Sequence, residues 1–205
     1  MYPAVAIANY FVKRAAQEGV RDITPAKLHD LVYFAHGWRL GIVNRPMITS
    51  TIMAAKDGLI ISDLRESGCW GSKRIEGLIE TIQMDESRGV MAQQTPELAP
   101  DDPAITSLEW VWKAYGKLSP YDLSRATREV GSPWDLIWND EERPDDEPKK
   151  VPNGTIRLWF KDLSARRKHE SRNHELSAVQ QREATALEDT QQLLEAPNPD
   201  RLRAV

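Results

Sequence analysis

Few side chains in this 205-residue chain could do chemistry beyond ordinary surface ion pairing: it has four histidines and one cysteine. His29 and His36 stand seven residues apart in LHDLVYFAHGW, and His169 and His174 five apart in HESRNH. Imidazoles of this kind hold transition metals or act as general bases. Seven helical residues span about 10 Å, however, so His29 and His36 are poorly placed to share an ion whose bonds are about 2 Å long. Five residues turn a helix through about 140°, so His169 and His174 point apart. Cys69 has no second cysteine for an internal disulfide and no ligand neighbour at metal spacing. It reads as a small buried or half-buried residue. A catalytic His36 would need an orienting carboxylate and a nucleophile beside it. Asp30 lies on another face of the same helix, and no serine or cysteine is singled out. A glycine-rich phosphate loop, a nucleophile elbow and an HExxH motif are all absent. No catalytic residue, cofactor-binding motif or metal site is therefore assigned, and the chain is expected not to be an enzyme.

The element that carries the first histidine pair organises the rest. Residues 4–42 read as two apolar-faced helices joined by a short turn. Val5, Ala8, Val12 and Ala15 recur at helical spacing in the first, and Gly19 follows as a left-handed terminator. Thr24 caps the second and Pro25 occupies its first position, where a missing N–H costs nothing. Leu28, Leu31, Val32, Ala35 and Ile42 then form one buried stripe. His29, Tyr33, His36 and Leu40 form another face, open to two readings: hydrogen-bonded interior groups, or a contact face for a partner or ligand.

Downstream, MITSTIMAAK suits a short strand, and Asp57-Gly58 a turn. LIISDLRES reads as a short helix closed by Gly68. Residues 75–84 and 89–94 flank Asp85-Glu86-Ser87-Arg88 as a hairpin would, with a helical turn over Leu78, Ile79 and Ile82 as the alternative. Asp102-Pro103, Ser119-Pro120 and Ser132-Pro133 repeat the cap-plus-proline start, and Asp122 completes a capping box. The helices they open carry Ile105, Leu108, Val111, Trp112 and Tyr115 up to Gly116, then YDLSRATREV up to Gly131, then Trp134, Ile137 and Trp138. NDEERPDDEPKK is a charged, proline-broken connector. A last helix begins near Ile156, Trp159 and Phe160 and turns polar after Leu163. From there the chain holds seven Lys/Arg against seven Asp/Glu and few large apolar residues. The fold class expected is mainly α: a compact helical domain over residues 1–163 with a small β-hairpin or short strands. A polar extension, helical or disordered, follows over 164–205.

Composition narrows the function. A formal charge of −4 lacks the basic footprint of a nucleic-acid binder. The N-terminal helix pair has a helix-turn-helix outline, but its second helix offers only Lys27 and Arg39 as basic groups. No apolar run approaches the roughly 20 residues that span a bilayer, and no signal-peptide pattern opens the chain. A cytoplasmic protein without nucleic-acid or membrane partners is expected. Seven tryptophans put weight on large aromatic surfaces, in a core or at an interface.

The order ANYFVKRA, ITPAKLHDLVYFAHGW, AAKDGLIISDL and VWKAYGKLSPYDLSRATREVGSPWDLIW resembles the Panacea domain, the antitoxin domain of SocA-like and GepA-like phage-associated proteins. These segments fall across most of residues 4–163. The chain departs from the family pattern at Ala55, where a tryptophan is usual, at Leu59-Ile60, where Pro-Val is usual, and at Thr127-Arg128-Glu129, where Thr-His-Glu is usual. The resemblance implies a mainly helical domain that neutralises a toxin encoded next to it, by direct binding or by bringing it to a cellular protease. The partner is then the cognate toxin, and the contact patch expected is Tyr33, His36, Trp70, Arg128 and Glu129. The alternative is a phage- or prophage-encoded small-ligand binder or enzyme that uses the Tyr33/His36 face.

Overall fold

The computed structural model describes residues 1–85, 89–140, 147–170, 172–173 and 181. The chain divides into two units, Met1–Asp162 and Leu163–Val205. The first is mainly helical with a few short antiparallel strands. Its elements are α1 (Ala4–Gln17), α2 (Pro25–Val43), β1 (Ile52–Ala55), β2 (Gly58–Ile61), α3 (Ser62–Glu66), β3 (Thr81–Asp85), β4 (Val90–Gln94), α4 (Ala104–Tyr115), α5 (Pro120–Thr127), α6 (Pro133–Trp138) and β5 (Lys149–Lys150). Residues 153–162 add a final helical stretch. In the second unit residues 163–170, 172–173 and 181 are helical, and those whose side chains are described are half-buried or exposed. The rest of the expected extension lies outside the described residues.

The helix starts follow from the cap chemistry. Thr24 Oγ1 accepts from the Lys27 amide at 3.2 Å, Ser119 Oγ from Asp122 at 3.1 Å and Ser132 Oγ from Asp135 at 3.2 Å. Each bond satisfies an amide that the first turn leaves unpaired. Asp102 Oδ1 accepts from the Ala104 amide at 2.8 Å at the mouth of α4. Gly19 takes a left-handed φ of 68° just past α1, as a terminator does, and Gly131 has φ 78° in the turn before Ser132. Gly116, expected to act likewise, stays right-handed at φ −60°. Its lack of a side chain instead makes room for the Trp112 ring.

α2 is the axis of the core. Fourteen of its 19 residues are buried, which leaves it without a solvent face along most of its length. It packs against α1, α4, α5 and β2. Gly37 and Gly41 let Phe160 press directly on the helix: a Cβ at Gly41 would lie 2.7 Å from Phe160 Cβ and 2.8 Å from its carbonyl carbon. Phe160 also meets Tyr33, Phe34 and Trp38 edge-on, while Phe34 stacks on Tyr115 with ring centroids 4.1 Å apart. Ile42, expected in the buried stripe, is 65% exposed, because Gly41 beside it takes the contact with Phe160.

Three boundaries differ from the sequence reading. The stretch LII is strand β2 rather than helix: β1 pairs with it antiparallel from Ile52↔Ile61 to Ala55↔Gly58, and β5 pairs on the other edge of β1. Leu59, Ile60 and Ile61 obey a pleat here, and only Ser62–Glu66 is helical. α5 ends at Thr127, four residues before Gly131, because the Thr127 hydroxyl donates back to Ser124 O at 2.9 Å and the Arg128 amide closes a tight turn on Arg125 O. The expected hairpin forms, but its first strand starts only at Thr81, and residues 75–80 run without regular structure. Its turn residues 86–88, and residues 141–146 of the acidic connector, lie outside the described residues.

The irregular stretch is pinned by one buried side chain. Asn9 Nδ2 donates to Ile79 O at 2.9 Å while its Oδ1 accepts from the Ile79 amide at 2.7 Å. A second bond from Nδ2 reaches Pro96 O at 2.9 Å. A single amide thus supplies both bonds that a neighbouring strand would have given Ile79.

Candidate functional site

The two histidines of α2 are fully used by the fold. His29 Nδ1 accepts from the Ile61 amide at 3.0 Å, which leaves its proton on Nε2, 3.1 Å from Cys69 O. His36 repeats the pattern: Nδ1 accepts from the Ile48 amide at 3.3 Å, and Nε2 lies 3.0 Å from Asn153 Oδ1. Both rings are therefore neutral Nε2–H tautomers that tie α2 to the segments around it. Burial holds both below the usual histidine range. Neither ring has a free lone pair for a metal or a substrate proton. No group of three or more His, Cys, Asp or Glu among the described residues could hold a metal ion.

Of the five residues expected to form a contact patch, Tyr33 and His36 are excluded from any surface, each only 1% exposed. The Tyr33 ring lies against Phe34 and Phe160. Its hydroxyl is buried without a hydrogen-bond partner among the described residues, and burial raises its pKa. The alternative catalytic or ligand face built on this pair has no opening to solvent either. Cys69 is buried, and desolvation pushes its thiol up to about 11.

Trp70, Arg128 and Glu129 do reach solvent. Trp70 is 71% exposed, set between Gly68 and Gly71 at φ +81° and +86°. Arg128 is half-buried, its Nε donating to Ser124 O at 3.3 Å and its guanidinium carbon 5.7 Å from the Trp134 ring centroid. Glu129 is exposed, with its carbonyl accepting from the Ser132 amide. Trp134 Nε1 donates in turn to Ala55 O at 2.9 Å, at the end of β1. Beneath this corner Asp30, only 3% exposed, lies 3.3 Å from the Thr127 hydroxyl. Burial raises its carboxyl to about 7, against the pull of Thr127 and Arg128.

The β1–β2 turn that Trp134 holds also forms one wall of an open cleft of about 690 Å3. Pro25 and Ala26 at the start of α2, Lys56 and Asp57 in the turn, Arg65 of α3 and Trp70 are among its lining residues. Lys56 and Arg65 are exposed and form no ion pair among the described residues. A second cleft, of about 870 Å3, follows the irregular stretch 73–82, where Lys73 and Arg74 are offset by Glu76 and Glu80. Beside it the β3–β4 hairpin turns Ile82, Met84 and Met91 to one face, all well exposed, because Ile82 opposes Gln93 and Met84 opposes Met91.

No protein-family model, curated protein or solved structure matches this chain. No described helix is long and apolar enough to cross a membrane. The surfaces therefore carry the functional reading. Sequence reasoning found Trp70 from its glycine neighbours but missed Lys56 and Arg65, since it placed Leu59–Ile61 in a helix and so lost the hairpin that brings them to one cleft.

Proposed function

We propose that this chain is a non-enzymatic antitoxin that neutralises the toxin of an adjacent gene, by binding it directly or by bringing it to a cellular protease. The observation that carries the reading is what remains on the surface once the core is built. Every imidazole nitrogen of α2 serves the fold, while a large exposed ring and two cations without an ion-pair partner among the described residues line one cleft. Exposed aromatic and arginine side chains are the usual anchors of protein interfaces. The resemblance of residues 4–163 to the Panacea domain supplies the kind of partner. The test is co-expression: the adjacent gene alone arrests growth, growth returns with this chain, and the two proteins co-purify. An adjacent gene that is harmless alone, or whose toxicity this chain leaves untouched, removes the antitoxin reading.

A further inference from the structure

We infer that the cleft between the start of α2, the β1–β2 turn and Trp70 is where the toxin docks, and that the part it receives is an acidic segment carrying an apolar or aromatic side chain. This rests on the antitoxin reading and adds the place and chemistry of the contact. Three observations meet there. Lys56 and Arg65 line the cleft without a carboxylate partner among the described residues, against the single carboxylate of Asp57. His29, also at the cleft, is held neutral by its two main-chain bonds and adds no charge. Pro25 and Ala26 bring the N-terminal end of a 19-residue helix to the same wall, where its dipole favours a carboxylate. Among the described lining residues positive charge therefore exceeds negative, and an acidic segment complements it.

Trp70 supplies the apolar anchor. Its ring is the large side chain of this cleft that the core leaves free, and the left-handed glycines on either side hold the backbone in a conformation that directs it outward. A tryptophan brings a wide contact area with two torsions to fix, so little entropy is lost when it is covered. The second cleft lacks this combination, since two cations and two carboxylates cancel there. The apolar hairpin face beside it offers no charge to orient a partner.

The experiment measures binding of the full chain to the purified product of the adjacent gene by calorimetry, at 50 and 300 mM NaCl. The parent chain is expected to bind, and to bind more weakly at the higher salt. Lys56→Glu with Arg65→Glu is expected to weaken binding about thirty-fold or more and to abolish the salt dependence, and Trp70→Ala to weaken it about thirty-fold. The control Ile82→Ser with Met91→Ser, on the hairpin, is expected to bind like the parent. All these positions are exposed, and circular dichroism with a melting curve verifies that each variant is folded. If the parent binds and the cleft variants bind equally well, the cleft is overturned while the antitoxin reading stands. If the hairpin variant alone loses binding, the cleft is likewise overturned. If the parent does not bind, direct neutralisation itself fails, and this inference with it.

Discussion

Acidification tests the internal chemistry of α2 most directly. Each histidine accepts a backbone N–H on Nδ1, so a proton placed there would set two donors face to face at Ile61 or Ile48. Burial holds both folded pKa values below the unfolded value of 6.5. Stability from these groups is complete above pH 6.5 and is lost as pH falls, because the unfolded chain binds two protons that the folded chain refuses. Each ring removes stability at no more than about 1.4 kcal/mol per pH unit as pH falls below 6.5. Asp30 works in the opposite direction. Its carboxyl stands at about 7 in the fold against 3.8 unfolded, so across the same interval the folded chain holds one proton that the unfolded chain lacks. The Thr127 hydroxyl has one proton for two acceptors, Ser124 O at 2.9 Å and Asp30 Oδ1 at 3.3 Å, so its bond to Asp30 offsets the burial of the carboxyl only in part. Asp30→Asn removes this compensation, so from pH 6 to 5 it loses about 1.4 kcal/mol more than the parent, and at pH 8 it is more stable than the parent because no carboxylate is buried. Urea melts at half-unit steps from pH 5 to 8 measure both slopes. An Asp30→Asn stability that is flat or rises on acidification refutes the tautomer assignment, and an Asp30→Asn slope parallel to the parent's refutes the neutral Asp30.

The remaining expectations concern packing. Tyr33→Phe removes a buried hydroxyl without a partner among the described residues; such a group costs about 1–3 kcal/mol, and the variant should melt a few degrees higher than the parent by calorimetry. Trp38, Trp112 and Trp134 are buried, and alanine at a buried tryptophan costs about 3–5 kcal/mol out of a total of about 5–15, so at least two of the three variants should be insoluble or molten. Three variants melting like the parent would contradict the packing. Gly41→Ala places a Cβ 2.7 Å from that of Phe160 and should cost about 1–3 kcal/mol in urea melts. Gly77→Ala, with nothing within 4 Å of the added carbon, is the neutral control.

How much of this was legible depends on whether the cause was local. A cap hydroxyl acts on an amide three residues away, and a proline at the first helical position acts on itself, so Thr24-Pro25, Ser119-Pro120 and Ser132-Pro133 announced their helices correctly. The end of α5 was misplaced because Thr127, rather than the next glycine, takes part in closing it. β2 was misplaced because Leu59–Ile61 become a strand through pairing with β1, and that register is decided by a neighbour. Asn9 is the extreme case. Its partners Ile79 and Pro96 lie 70 and 87 residues away, and nothing local distinguishes it from a surface asparagine.

The candidate site failed in sequence for a related reason. Dividing a helix into a core stripe and a second face presumes that one side meets water, and on that premise Tyr33 and His36 became contact residues. α2 has no such side, since its neighbours α1, α4, α5 and β2 surround it and Phe160 closes over its two glycines. The signal was present in composition: between Pro25 and Val43 the only charged side chains are Lys27, Asp30 and Arg39. A helix that is apolar all round is a buried one. Even Lys27 is fully buried and reaches out along its stem to meet Asp22 at 2.7 Å. Polar groups on such a helix are enclosed with it: two histidines on four main-chain and side-chain partners, an aspartate on a threonine, and the Tyr33 hydroxyl with no partner among the described residues. The contact surface proposed above accordingly lies off α2, where the Trp70, Lys56 and Arg65 side chains are exposed.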